Sequence, residues 1–114
     1  MIARAPFAAA VILLAVSALP PGAARAAEAP VEVTISGHVF TPAEIHVKAH
    51  QPVVLHIRNR DATPEEFDSS ALKVEKVIAP DGEALVRIRP LKPGRYKFVG
   101  EYHEDTAHGV VVAE

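Results

Sequence analysis

From residue 31 onward the chain is a series of short runs of alternating polarity, each closed by a turn signal, and no long helical period interrupts them. This pattern limits the fold more than any other feature. Val31-Glu32-Val33-Thr34-Ile35 alternates apolar and polar, as does Glu44-Ile45-His46-Val47-Lys48. Pro52 opens Val53 to Asn59, where Val53, Leu55 and Ile57 share one face. A polar loop is expected from Arg60 to Ser70, with Phe67 anchoring it, followed by a weaker apolar run from Leu72 to Ile78. Pro80-Asp81-Gly82 marks a turn, Ala84, Val86 and Ile88 share a face, and Pro90 to Gly94 turns the chain again. Tyr96 and Phe98 alternate in the next run, and Val110 to Ala113 make the last. About seven short strands at roughly 8–12-residue spacing predict an all-β Greek-key sandwich or small barrel with a Val, Ile, Leu and Phe core.

The first segment reads differently. Arg4 precedes an apolar run from Phe7 to Leu19, and Ala24-Arg25-Ala26 places small residues after it. The run is too short to span a bilayer and fits the apolar region of a signal peptide. The expected division is therefore 1–26 signal peptide, cleaved after Ala26, and 27–114 a single exported domain, with 27–30 a frayed lead-in. Removing Arg4 and Arg25 moves the formal charge from −2 to about −4. No basic stripe is present, so nucleic acid is not an expected partner. The chain has no cysteine. A small exported domain without disulfides needs a metal, a dimer or close β packing for stability. Sandwich edges can pair, so a homodimer is compatible with the pattern.

Candidate chemistry lies in two stretches. Asp61-Ala62-Thr63-Pro64-Glu65-Glu66-Phe67-Asp68 is rich in carboxylates, which are hard oxygen donors for a cation. Alternation sends Glu65 and Glu66 opposite ways, so at most one reaches a metal directly. Near the C-terminus, Glu101, His103, Glu104, Asp105 and His108 follow a strand end, and alternation places Glu101 and His103 on the same side. Such a set suits Fe, Mn, Zn or Cu(II). Of the other histidines, His46 and His56 are expected on solvated strand faces and His50 in an exposed turn. His38 falls in a loop that would come near one end of the sandwich.

Asn59-x-Asp61 with the loop after it, and Pro93-Gly94-Arg95-Tyr96-Lys97-Phe98-Val99-Gly100 through His103 to Gly109-Val110-Val111-Val112, together resemble a cupredoxin. The resemblance covers about residues 31 to 113. By that motif Glu65 stands at the first copper histidine, Gly100 at the copper cysteine and Ala107 at the axial methionine, and His103 alone is kept. A blue-copper site needs the thiolate, so none is expected. The Glu-Glu-Phe and Gly-Glu-Tyr-His pairing resembles a narrower group: the periplasmic cupredoxin-like proteins of Ftr-type ferrous iron uptake systems and the cupredoxin domain of EfeO-type proteins. That resemblance implies a periplasmic location and iron, with Cu(II) as the alternative metal. It also implies ferroxidase-type assistance to Fe(II) oxidation, alongside a periplasmic iron/copper-binding protein and an inner-membrane iron permease. Carboxylates stabilise Fe(III) over Fe(II), which helps an electron leave. The expected ligands are Glu66, Glu101 and His103, then Glu65, Asp68, Glu75 and Asp105. The rival readings are a Cu(II) carrier or chaperone on the same loops and a metal-free docking module.

Overall fold

A computed structural model describes residues 2–17 and 29–114. Among the described residues nine strands form: β1 (Val31–Ser36), β2 (Val39–Thr41), β3 (Glu44–Val47), β4 (Val53–Asn59), β5 (Glu65–Ser69), β6 (Val74–Ile78), β7 (Glu83–Ile88), β8 (Gly94–Gly100) and β9 (His108–Ala113). A 3-10 turn, Glu101–His103, separates the last two. The nine exceed the expected seven because β2 forms within the stretch expected as a loop around His38 and β5 within the expected polar loop.

The strands make a four-stranded sheet in the order β2-β1-β4-β7 and a five-stranded sheet in the order β3-β9-β8-β5-β6. Each sheet is mixed: β1 runs parallel to β4 and β3 parallel to β9, and the other pairs are antiparallel. The alternation does what it predicts. Val33, Ile35, Leu55, Ile57, Val86 and Ile88 line the inner face of the first sheet, and Ile45, Phe67, Ile78, Phe98 and Val111 that of the second. Each such side chain contributes about 1.5–3 kcal/mol by leaving water. Phe40, Phe67 and Phe98 meet across the sandwich. Phe40 sits edge-on to Phe98 at 5.0 Å, and Phe98 stacks on Phe67 at 4.8 Å. Gly109 lies under this cluster: a Cβ there would fall 2.4 Å from both the Ala43 carbonyl oxygen and Phe98 Cζ.

Residues 2–17 form neither helix nor strand, and Phe7, Val11, Leu13 and Leu14 in the apolar run are exposed. Among the described residues no helix is long and apolar enough to cross a membrane. The expected cleavage position after Ala26, the end of the apolar run at Leu19, and Ala27 and Glu28 of the lead-in lie outside the described residues.

Candidate metal centre

The site is built at one end of the sandwich, and Asn59 organises it. This buried side chain donates to the carbonyls of Thr63 and Ala79 and accepts the amide of Asp61 at 3.0 Å. The chain after β4 is thereby held to β6 and brings Asp61 under the turn between β1 and β2. Gly37 and His38 have φ of 59° and 57°, the backbone of a two-residue I′ hairpin turn. Asp61 accepts both of their amides, at 2.8 and 2.9 Å. The bond from His38 does most to hold the Asp61 carboxyl below the usual carboxylate range. The His38 ring then lies over that of His103, with centroids 3.5 Å apart and planes 14° from parallel.

Beneath the stack is Glu65. β5 alternates, so Glu65, Phe67 and Ser69 face inward while Glu66 and Asp68 face out. Glu65 Oε1 accepts the amides of Glu66 (3.1 Å) and Tyr102 (3.0 Å), and Oε2 lies 2.6 Å from His103 Nδ1. An ionised carboxylate only accepts, so His103 donates to it from Nδ1, the arrangement that leaves Nε2 as the ring's other nitrogen for a ligand. Gly100 and Ala107 close the same space, joined by a 2.7 Å backbone hydrogen bond. A Cβ at Gly100 would fall 2.6 Å from Glu65 Cδ and 2.7 Å from Ala107 Cβ.

Glu65, Gly100, His103 and Ala107, which the resemblance aligns with blue-copper ligands, do converge. They do not fit a blue-copper ion. No thiolate or thioether is present there, and a side chain at Gly100 would enter the space that Glu65 occupies.

A second group lies on the outer face of the five-stranded sheet. Glu66 and Asp68 project from β5, and Glu75 on β6 is directly opposite Asp68. Their carboxylate oxygens lie within 4.8 Å of one another. Glu101 joins from the 3-10 turn. The charge of Glu66, and then a hydrogen bond to it, push the Glu101 carboxyl above its usual range, with smaller contributions from Asp68 and Glu75. Desolvation first and Glu66 second push the neighbouring Tyr102 phenol up.

The candidates therefore separate into two groups. Glu66, Asp68, Glu75 and Glu101 form the outer cluster, while Glu65 and His103 form the inner pair. Asp105 belongs to neither and is exposed in the turn after the 3-10 segment. The expectation that Glu101 and His103 share a side is corrected. The strand ends at Gly100, and in a 3-10 turn side chains two residues apart point about 120° from one another. Glu101 accordingly reaches Glu66 outside while His103 turns in to Glu65. Glu65 and Glu66 do point opposite ways. Tyr102 was not singled out as a candidate, and its position between Glu101 and His103 was the available signal.

The two facing sheets, with the former ligand positions gathered at one end, define a cupredoxin-like sandwich. The family model for the cupredoxin-like domain matches residues 6–113, and the chain belongs to that family. An uncharacterised protein of Rickettsia prowazekii (strain Madrid E) is 39% identical over 82 residues, which is 72% of this chain and 66% of that one, just under two thirds of its length. Among solved structures, a Cu(I) form of an amicyanin mutant aligns with a TM-score of 0.62 and 21% identity, over 78% of this chain and 86% of its own. The metal-binding domain of the Streptococcus pneumoniae Cu(I)-exporting P-type ATPase, with Cu(I), aligns with a TM-score of 0.64 and 16% identity, over 75% and 84%. At these identities the likeness concerns the fold.

Proposed function

We propose that this chain is an exported metal-binding protein that takes up iron on the outer carboxylate cluster of its five-stranded sheet, within a bacterial iron uptake system. The observation that carries the reading is the convergence of Glu66, Asp68 and Glu75 to within 4.8 Å. Glu101 is held beside them despite the repulsion. An all-oxygen donor set suits a hard cation and favours Fe(III) over Fe(II). Fe(II) arriving there is more readily oxidised, and its electron passes to a separate periplasmic iron/copper-binding partner. The ion then passes to an inner-membrane permease. The role of the domain is to hold the ion and bias its oxidation state.

Cu(II) carriage is the second reading. The observation in its favour is His103, an imidazole oriented by a carboxylate as metal-binding histidines commonly are. The solved relatives named above carry copper as well.

Calorimetric titration with anaerobic Fe(II), with Fe(III) and with Cu(II) separates the readings. Iron should bind, and Glu66→Gln and Glu75→Gln should each weaken it more than about 10-fold, since affinity in oxygen sites follows the number of charged ligands. His103→Ala should weaken iron binding much less than these, since His103 gives the cluster no ligand atom. Tight Cu(II) binding that depends on His103, without iron binding, overturns the iron reading. If neither metal binds, both metal readings fail.

A further inference from the structure

A buried carboxylate needs partners, because its desolvation is costly. The Glu65 side chain is 2% exposed, and its partners form a pattern. Oε1 accepts the amide of Glu66 at 3.1 Å and the amide of Tyr102 at 3.0 Å. The first amide belongs to a member of the outer cluster, and the second to the residue directly after Glu101. One oxygen thus fixes the backbone at both Glu66 and Glu101, which are far apart in sequence. Oε2 adds the bond to His103 Nδ1 at the other end of the 3-10 turn.

Some such tie is required. Glu66 and Glu101 repel one another when both are ionised. Sheet pairing does not hold them together. β5 and β8 pair at Phe67↔Gly100 and Asp68↔Val99, and the ladder stops before Glu101. Beyond that point the Glu65 carboxylate ties the backbone of the turn to the start of β5.

We infer that Glu65 is a positioning residue, whose buried carboxylate clamps the 3-10 turn to β5 and so holds Glu101 beside Glu66 in the arrangement that receives the cation. The inference rests on the cation-site reading given above. Gly100 is part of the same device. Any side chain there would enter the space of the clamp, since its Cβ would fall 2.6 Å from Glu65 Cδ and 2.8 Å from Oε1.

Terbium(III) is the probe: a hard trivalent cation whose luminescence a nearby tyrosine excites. The chain has two tyrosines and no tryptophan, and Tyr102 adjoins the cluster. Glu65→Ala should weaken terbium binding about 10-fold, the range found for groups that orient ligands without touching the metal. Glu65→Gln should restore most of that affinity, because its amide oxygen still accepts both N–H groups. Glu101→Gln should cost affinity in the parent protein but add nothing to Glu65→Ala, since the clamp acts through Glu101. Additive losses overturn the inference. Gly100→Ala displaces the carboxylate without removing it and should reproduce the loss, which keeps the test open if Glu65→Ala does not fold. Full terbium binding in Glu65→Ala, together with loss in Glu66→Gln, overturns the inference alone. Absence of binding in the parent removes the cation site and the inference with it.

Discussion

Gly109 is specified by its neighbours rather than by its own conformational freedom. The space where its Cβ would sit is shared by the backbone of Ala43 and the ring of Phe98, and neither can retreat within a packed core. Gly109→Ala should therefore lower the unfolding free energy by about 1–3 kcal/mol, the range for overpacking, as read from urea denaturation midpoints. An unchanged midpoint would mean that β3 and β9 slide apart at no cost. Glu65 is the opposite case, a large polar residue at a core position. It is tolerated because three donors reach its two oxygens. This also explains why β5 was hidden in the sequence. Of its three inward residues, Glu65, Phe67 and Ser69, two are polar, so the segment lacks the apolar alternation by which a strand is recognised and resembles a loop. Ser69 is buried on similar terms, donating to the Lys97 carbonyl at 2.6 Å and accepting the Leu72 amide at 3.0 Å.

At the scale of elements, the outer face of the four-stranded sheet carries a clamp of its own. His56 on β4 lies between β1 and β7. Its Nδ1 meets Glu32 at 2.8 Å and its Nε2 meets Glu83 at 3.1 Å, while Arg58 also reaches Glu83. The bond to Glu32, and less strongly those to Glu83, hold the His56 pKa above 6.5. The Glu83 carboxyl is depressed below 4.5, by Arg58 first and His56 second. A raised histidine stabilises the fold fully below the unfolded pKa, and that contribution is lost as the pH rises through the folded value. A depressed carboxylate contributes above its unfolded pKa and loses that contribution as the pH falls through the folded one. The clamp is therefore strongest between about pH 4.5 and 6.5. The melting temperature of the parent should exceed that of His56→Gln in this window, with the difference shrinking towards pH 8. A difference that is constant from pH 5 to 8 would contradict the assignment. The alternation of His56 against Leu55 and Ile57 was legible in sequence. Its two carboxylate partners were not, because cross-strand register is set by three-dimensional pairing.

Over the whole molecule, the family and sandwich were legible because turn residues and alternating apolar runs extend along nearly all of residues 31 to 113. The site was legible only as a set of residues. Glu66, Asp68, Glu75 and Glu101 come from three elements, and their meeting depends on the β5–β6 register and on the 3-10 turn after Gly100. A cation that binds only the folded form stabilises it by about 2.7 kcal/mol at 100 times its dissociation constant. Saturating Fe(III) or terbium(III) should thus raise the melting temperature at pH 7. The gain should vanish as acid protonates the cluster, beginning with the raised Glu101. A gain unaffected by pH would place the cation elsewhere.

That Gly100 and Ala107 carry no sulfur also matters for durability. Thiols and thioethers are the side chains that peroxide converts stepwise to sulfenic, sulfinic and sulfoxide products. The only sulfur in the chain is that of Met1, so the sandwich offers peroxide no sulfur to modify. Peroxide reaching the sandwich therefore cannot inactivate it through thiol or thioether oxidation.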